Sequence, residues 1–136
     1  MLYKQLLALS FILVLLTGCG GVSNGILVKD VPAFDEAVKS AKAGDRIVLA
    51  NGIWKDAELV FTGEGTEEAP ITLTVQEKGK VTLDGQSNLR IAGKYLHVEG
   101  LVFKNGYTPT NEVISFRRNK EFLANHCRVT ECVIDN

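Results

Sequence analysis

The chain has 136 residues, of which 46% are hydrophobic, and a formal net charge of −1 at pH 7. That length supplies material for about one domain of ordinary size. The near-neutral charge argues against a nucleic-acid partner, because domains that bind nucleic acids usually carry a basic patch that neutralises phosphates. Beyond the amino terminus, no apolar run approaches the roughly 20 residues that a membrane-spanning helix needs.

The amino terminus has the pattern of an export signal. Lys4 precedes an apolar run over residues 6–16, and small residues follow, which predicts a lipoprotein signal peptide over residues 1–18. The ending LTGC resembles the bacterial lipobox, so Cys19 is the predicted lipid anchor. We therefore expect an exported lipoprotein at a membrane surface, facing the periplasm or the cell exterior. The alternative is an ordinary secretory signal in which Cys19 has no role.

A linker and one helix are predicted next. Residues 19–27 are rich in glycine and also contain serine and asparagine, which is typical of a linker. The following segment, KDVPAFDEAVKSAKAGD, predicts an amphipathic helix at about residues 32–43, with Pro32 in its first turn and Gly44 at its end. Its apolar residues recur at helical spacing: Phe34, Ala37, Val38 and Ala41. We expect this helix to cap the edge of the strands that follow.

From Asp45 onward, apolar residues recur with a period of two. Short runs such as ITLTV, KVTLDG, LHVEG and LVFKNG alternate with glycines and polar turns, which predicts strands without helices between them. Two runs form each repeat, and the repeats recur after roughly 20 to 31 residues, a period typical of a solenoid. A longer segment, YTPTNEVISFRRNKEFLANH, predicts an inserted loop with a further strand. The predicted fold class is an all-β solenoid.

The last repeat is shorter than the one before it. LHVEGLVFKNG, residues 96–106, matches CRVTECVIDN, residues 127–136, with Phe103 over Ile134. The second copy stops where the first has its glycine. This predicts that residues 28–136 are the amino-terminal part of a longer solenoid domain, with an uncovered last rung.

Two cysteines lie in this last repeat. Cys127 and Cys132 take the places of Leu96 and Leu101 in the alignment, so both side chains are predicted to face the core. Export would also permit a disulfide between them. A metal site is less favoured, because two cysteines fall short of the usual four ligands.

Three blocks of the sequence resemble the amino-terminal coils of polysaccharide lyase family 6, the family of alginate lyases and chondroitinase B. They are AGDRIVLANGIWKDAELVFTGEGTEEAPITL, GKVTLDGQSNLRIAGKYLHVEGLVFKNG and NHCRVTECVIDN. The resemblance extends from about Val28 to Asn136. One departure is Ala43, where the family pattern has proline, but the end of a helix tolerates either residue.

The resemblance implies a right-handed parallel β-helix that cleaves an acidic polysaccharide by β-elimination at a uronic acid. The lipobox and the absence of any marker for sulfate recognition favour alginate over dermatan sulfate or chondroitin. The resemblance also implies a calcium ion held by Asn and Glu residues, a Lys base and an assisting Arg. These residues belong to later coils, so the catalytic residues are expected beyond Asn136, and no calcium ligand is expected in this chain. The alternative is a noncatalytic β-helix that binds glycans or acts as a surface adhesin.

Within the chain, Arg117 and Arg118 are the candidate substrate-binding residues. They lie with Lys120 and His126 in the inserted segment, and arginines bind the carboxylates of an anionic polysaccharide well. The alternative is a solvated charged loop.

Other polar and aromatic residues have structural interpretations. His97 and Glu99 are expected to face outward beside Arg128 and Thr130 of the next coil and to pair with them across strands. Trp54 follows a turn and is expected to pack over the first coil rather than to bind a sugar.

Overall fold

The computed structural model describes residues 25–107 and 112–135, which form a short edge strand, one helix and four coils of short strands. The chain begins with β1 (Ile26–Val28) and α1 (Val31–Ser40). The first coil contains β2 (Arg46–Leu49), β3 (Gly52–Lys55) and β4 (Glu58–Glu64). The second contains β5 (Ile71–Val75), β6 (Val81–Asp84) and β7 (Asn88–Lys94). The third contains β8 (Leu96–Glu99), β9 (Val102–Lys104), β10 (Ile114–Ser115) and β11 (Ala124–Asn125). The fourth contains β12 (Arg128–Thr130) and β13 (Val133–Asp135).

Strands at the same position of successive coils pair in parallel and form three sheets. Sheet 1 consists of β1, β2, β5, β8 and β12, sheet 2 of β3, β6, β9 and β13, and sheet 3 of β4, β7, β10 and β11. Consecutive strands of one coil, such as ITLTV and KVTLDG, therefore lie in different sheets. This winding is a parallel β-helix, which confirms the solenoid predicted from the repeats.

The register and the core follow the alternation of the sequence. Phe103 lies opposite Ile134 on the next coil, as the repeat alignment predicts. Every second side chain of a strand faces the interior, because the side-chain period of a strand is two. Phe103 is 5% exposed and Ile134 is 60% exposed. The difference arises because β9 lies between two coils, whereas no further described coil packs on β13.

Helix α1 packs against β1, β2 and β4 and covers the first coil, as predicted. Phe34, on the inner face of this helix, is completely buried. The Asp30 side chain accepts a hydrogen bond from the backbone N–H of Ala33 at 2.9 Å and so caps the helix. Asp30 was not predicted as the cap from sequence. The helix ends at Ser40 rather than near residue 43, because the backbone of Ala41 is extended.

The strand β1 extends the fold towards the amino terminus. Ile26 and Leu27 pair with Ile47 and Val48 of β2. The segment predicted as a linker, residues 19–27, therefore ends earlier than expected. Together β1 and α1 cover the edge of the first coil, where unpaired backbone groups would otherwise recruit another strand.

Candidate functional site

A hairpin interrupts sheet 3 in the third coil. The strands β10 and β11 are the two halves of one rung, since both pair with β7, at residues 89–90 and 93–94. Where β7 has Ile91 and Ala92, the third coil has residues 116–123. These residues leave the coil as an antiparallel hairpin, with Arg117 bridged to Leu123. The inserted loop and strand predicted from sequence are thus this hairpin and β10.

The tip of the hairpin is fixed by a local side-chain turn. The Asn119 side-chain oxygen accepts hydrogen bonds from the backbone N–H groups of Glu121 at 2.9 Å and Phe122 at 3.0 Å. The backbone N–H of Arg118 donates to the Phe122 carbonyl at 2.9 Å. Asparagine favours such turns because its side chain imitates a backbone carbonyl. The turn places Lys120 at the exposed tip and the two arginines nearer the sheet.

A small cavity on the outer face of sheet 3 is lined mainly by positively charged side chains. Its volume is about 120 Å³. We name it the arginine cavity, and it is lined by Arg90, Glu112, Ser115, Arg117 and Arg118. Arg117 contacts Glu112 at 2.8 Å between Nη2 and Oε1. A hydrogen bond from Ser115, and then the charges of Arg117 and Arg90, hold the pKa of Glu112 below its ordinary value. Glu112 is therefore ionised at neutral pH, and three cations face one anion.

A larger groove lies on the other side of Arg118. Its volume is about 390 Å³, and we name it the outer groove. Its floor is formed by small residues of β4 and β7, and its walls come from the hairpin and from charged residues at the strand ends. The lining residues are Thr62, Gly63, Glu64, Ala92, Gly93, Lys94, Arg118, Glu121, Phe122 and Leu123. The Phe122 side chain is 56% exposed at this wall.

The structure divides the cluster of cations predicted from sequence. Arg117 and Arg118 both line the arginine cavity. His126 lies at a corner of the coil instead, where its ring stacks on Tyr95 with centroids 4.8 Å apart. Sequence reasoning missed Arg90, which lies opposite Ser115 across the pairing of β7 with β10. Only the register of the interrupted rung brings Arg90 to the hairpin, because about 25 positions separate the two segments in the chain.

The outward face of sheet 1 has the polar residues at the opposed positions predicted from sequence, but the Glu99 carboxylate contacts Arg46 of the first coil, at 3.2 Å between Oε1 and Nη2. His97 lies opposite Arg128, and Glu99 lies opposite Thr130. The His97 Nδ1 is 3.5 Å from Nη2 of Arg128. Partial burial, and then the charge of Arg128, lower the pKa of His97, while Glu99 opposes the shift.

Trp54 and the cysteines have the packing roles that were predicted. Trp54 is 7% exposed, and its indole N–H donates to the Ala50 carbonyl at 3.0 Å. Cys127 and Cys132 are free thiols, half buried against the core. Burial raises the pKa of both thiols. Because both thiols are free, no disulfide joins Cys127 and Cys132 in this structure.

Among residues 25–107 and 112–135, no group of three or more His, Cys, Asp or Glu side chains could hold a metal ion. In the same residues, no helix has the length and apolar character to cross a bilayer. Cys19 and the predicted signal peptide lie outside the described residues.

Comparisons with known proteins identify the family. A family model described as Chondroitinase B matches residues 28–136. The solved structure of the PL6 family alginate lyase AlyGC is 62% identical with a TM-score of 0.81, and the match covers 82% of this chain and 15% of that chain. A comparison with curated proteins finds no match.

Two further solved structures share the coils. A mannuronic acid specific family 6 lyase from human gut microbiota is 32% identical with a TM-score of 0.75, over 81% of this chain and 26% of that one. The PL6 family lyase Pedsa3628 from Pseudopedobacter saltans is 35% identical with a TM-score of 0.72, over 80% and 24%. The chain thus spans a quarter or less of the length of AlyGC and Pedsa3628. With its fold and most of its length matched, the chain belongs to polysaccharide lyase family 6, the chondroitinase B family, and shares its right-handed parallel β-helix.

Proposed function

We propose that this chain supplies the first coils of a longer lyase that cleaves an acidic polysaccharide by β-elimination at a uronic acid. The observation that carries the proposal is the 62% identity to the alginate lyase AlyGC over 82% of this chain. Because the match covers 15% of AlyGC, we propose that the β-helix continues beyond Asn136.

Alginate is the preferred substrate of this proposal. One solved relative is described as an alginate lyase and another as specific for mannuronic acid, a component of alginate. The matching family model bears the name of chondroitinase B, so dermatan sulfate is the second substrate to test. Both polymers carry the uronic acid that elimination requires.

The chemistry sets what the complete protein must contain. Removal of the C5 proton of a uronate places negative charge on the sugar carboxylate, and cations or hydrogen-bond donors must stabilise that charge. The charge is relieved when the oxygen at C4 leaves with the electrons of its bond and takes up a proton, as the double bond between C4 and C5 forms. The calcium ion implied by the resemblance does not fit the described residues, because they contain no suitable cluster of ligands. Its ligands, and the catalytic residues, are proposed to lie on later coils.

Export is a further part of the proposal. The apolar run and the ending LTGC support cleavage before Cys19 and attachment of lipid to its thiol. A lipid anchor would hold the enzyme at a membrane surface, facing the periplasm or the cell exterior, where large extracellular polysaccharides or their fragments are accessible.

The test is a lyase assay on the complete protein, with alginate and dermatan sulfate offered separately. Elimination creates an unsaturated uronate that absorbs in the ultraviolet, so the rate is read directly. We expect signal on alginate, and we expect a calcium chelator to abolish it. Binding of either polymer without any unsaturated product would instead favour the noncatalytic glycan-binding protein.

A further inference from the structure

We propose that the arginine cavity and the outer groove together bind one carboxylate-bearing segment of the polysaccharide. In this arrangement Arg90 and Arg118 hold the carboxylate of a uronate, and the adjoining sugar ring lies against Phe122. The identity of the polymer rests on the proposed function, whereas the site rests on the geometry of sheet 3 and the hairpin.

The charges of the arginine cavity favour an added anion. Glu112 compensates one cation, since it contacts Arg117 at 2.8 Å. The charge of Arg90 also acts on Glu112, whose pKa it lowers, but neither Arg90 nor Arg118 forms an ion pair with another described residue. A guanidinium presents parallel N–H donors that match a carboxylate, and it does so better than a lysine ammonium. With three guanidinium groups and a single protein carboxylate, the arginine cavity is therefore suited to a second carboxylate supplied by a ligand.

Arg117 and Arg118 have different roles at the arginine cavity. The ion pair of Arg117 with Glu112 directs its guanidinium towards a protein carboxylate, and Ser115, which is 8% exposed, also donates to Glu112. This network fixes the base of the hairpin. The candidate pair predicted from sequence thus separates into a positioning residue, Arg117, and a binding residue, Arg118.

The outer groove has the shape and surface that a sugar ring requires. Its floor contains Gly63 and Gly93, which face each other across β4 and β7 and leave the backbone open. Its volume of about 390 Å³ lies within the range of about 300–1,000 Å³ typical of ligand sites. Phe122 offers an apolar face at the wall, and aromatic faces pack well against the C–H faces of sugars.

The charges of the outer groove explain why the carboxylate is assigned to the neighbouring cavity. Lys94 lies 4.0 Å from Glu64, and Glu121 contributes a further carboxylate at the hairpin. Apart from Arg118, which is assigned to the carboxylate, the groove is lined by one cation, Lys94, and two acidic side chains, Glu64 and Glu121. It favours a sugar ring over a second carboxylate.

The test is steady-state kinetics of the complete protein on polymeric alginate, with Arg90→Ala, Arg118→Ala and Phe122→Ala. Loss of an interaction made equally in the ground and transition states raises KM and leaves kcat unchanged. We expect KM to rise about tenfold for each arginine variant, the factor that about 1.4 kcal/mol of binding energy gives, and Arg118→Lys to have an intermediate effect. Higher salt should reduce the difference between these variants and the unchanged protein.

Matched controls separate the site from general effects. Phe116 is on the same hairpin and is 48% exposed, but it does not line the outer groove, so Phe116→Ala should leave KM unchanged. Lys42→Ala removes one exposed positive charge that lines neither the arginine cavity nor the outer groove, and it should also have no effect. Thermal unfolding of every variant shows whether the fold is kept.

The outcomes are distinguishable from those of the proposed function. If both arginine variants have the same KM as the control Lys42→Ala, the proposed site is overturned while the lyase proposal stands. If the complete protein is not a lyase, calorimetric titration with intact alginate replaces the kinetics. A Kd about tenfold weaker for Arg118→Ala then supports the site, and an unchanged Kd or no binding overturns it.

Discussion

At the scale of single residues, glycines allow the two long strands of sheet 3 to approach closely. Gly93 has φ +127°, a conformation that side chains rarely adopt, and a Cβ added there would collide with the Gly63 carbonyl on the neighbouring coil. Gly52 has a similar φ of +134°, but a Cβ there would meet nothing within 4 Å. Both positions have an unfavourable backbone conformation for other residues, but only Gly93 also has a neighbour that an added Cβ would strike. Comparing the two therefore separates the effect of backbone strain from that of a steric collision.

We therefore predict that Gly93→Ala is more destabilising than Gly52→Ala. The change at Gly52 should lower the free energy of unfolding by about 1–3 kcal/mol, the cost of an unfavourable backbone conformation. The change at Gly93 should cost about 2 kcal/mol more, because the coils must also move apart. Denaturant unfolding of both variants measures the difference, and equal losses would show that the strands separate freely.

At the scale of elements, side chains stack in columns from coil to coil. On sheet 2, Lys55, Asp84, Lys104 and Asp135 occupy equivalent positions, so opposite charges alternate along the column. Lys104 lies 3.6 Å from Asp135. Asp56 and Asn105 similarly share the corner that follows sheet 2, and both have a positive φ. Asp and Asn tolerate this conformation better than most residues, which explains their place at a sharp corner.

The column on sheet 1 supports a prediction about His97. Because burial and then Arg128 lower its pKa and Glu99 raises it, Arg128→Ala should raise the pKa of His97 and Glu99→Gln should lower it further. Burial remains in both variants, so the pKa in Arg128→Ala should stay below the ordinary value of 6.5. NMR titration of the imidazole signals, assigned with His126→Gln, measures both shifts. Movement in the same direction in both variants would contradict the cross-strand interaction.

The lowered pKa also sets a pH dependence. A histidine whose folded pKa lies below its unfolded value binds its proton more readily in the unfolded chain. Its contribution to stability is therefore present above about pH 6.5 and is lost as the pH falls through the folded pKa. Removing Arg128 should reduce the loss of stability that His97 causes at acidic pH.

At the scale of the whole molecule, the repeats predicted the fold because each coil buries its apolar residues against its neighbours. Phe103 and Ile134 could be aligned by sequence alone, since a period of two and a fixed coil length determine which residues stack. The site could be predicted only in part. Arg117 and Arg118 are adjacent in the sequence, but Arg90 joins them through the register of a rung that a hairpin interrupts. Short interrupted strands carry too little pattern to fix such a register.

The predicted lipid anchor, Cys19, lies outside the described coils, and the prediction can be tested in a bacterium that expresses the complete protein. We predict that a labelled fatty acid is incorporated into the protein and that Cys19→Ala abolishes the label, because this thiol is the predicted site of lipid attachment. Cys127→Ala is the matched control and should keep the label, since its thiol is half buried in the last coil and its pKa is raised. Label retained in Cys19→Ala, or absent from the unchanged protein, would leave Cys19 incidental to an ordinary secretory signal.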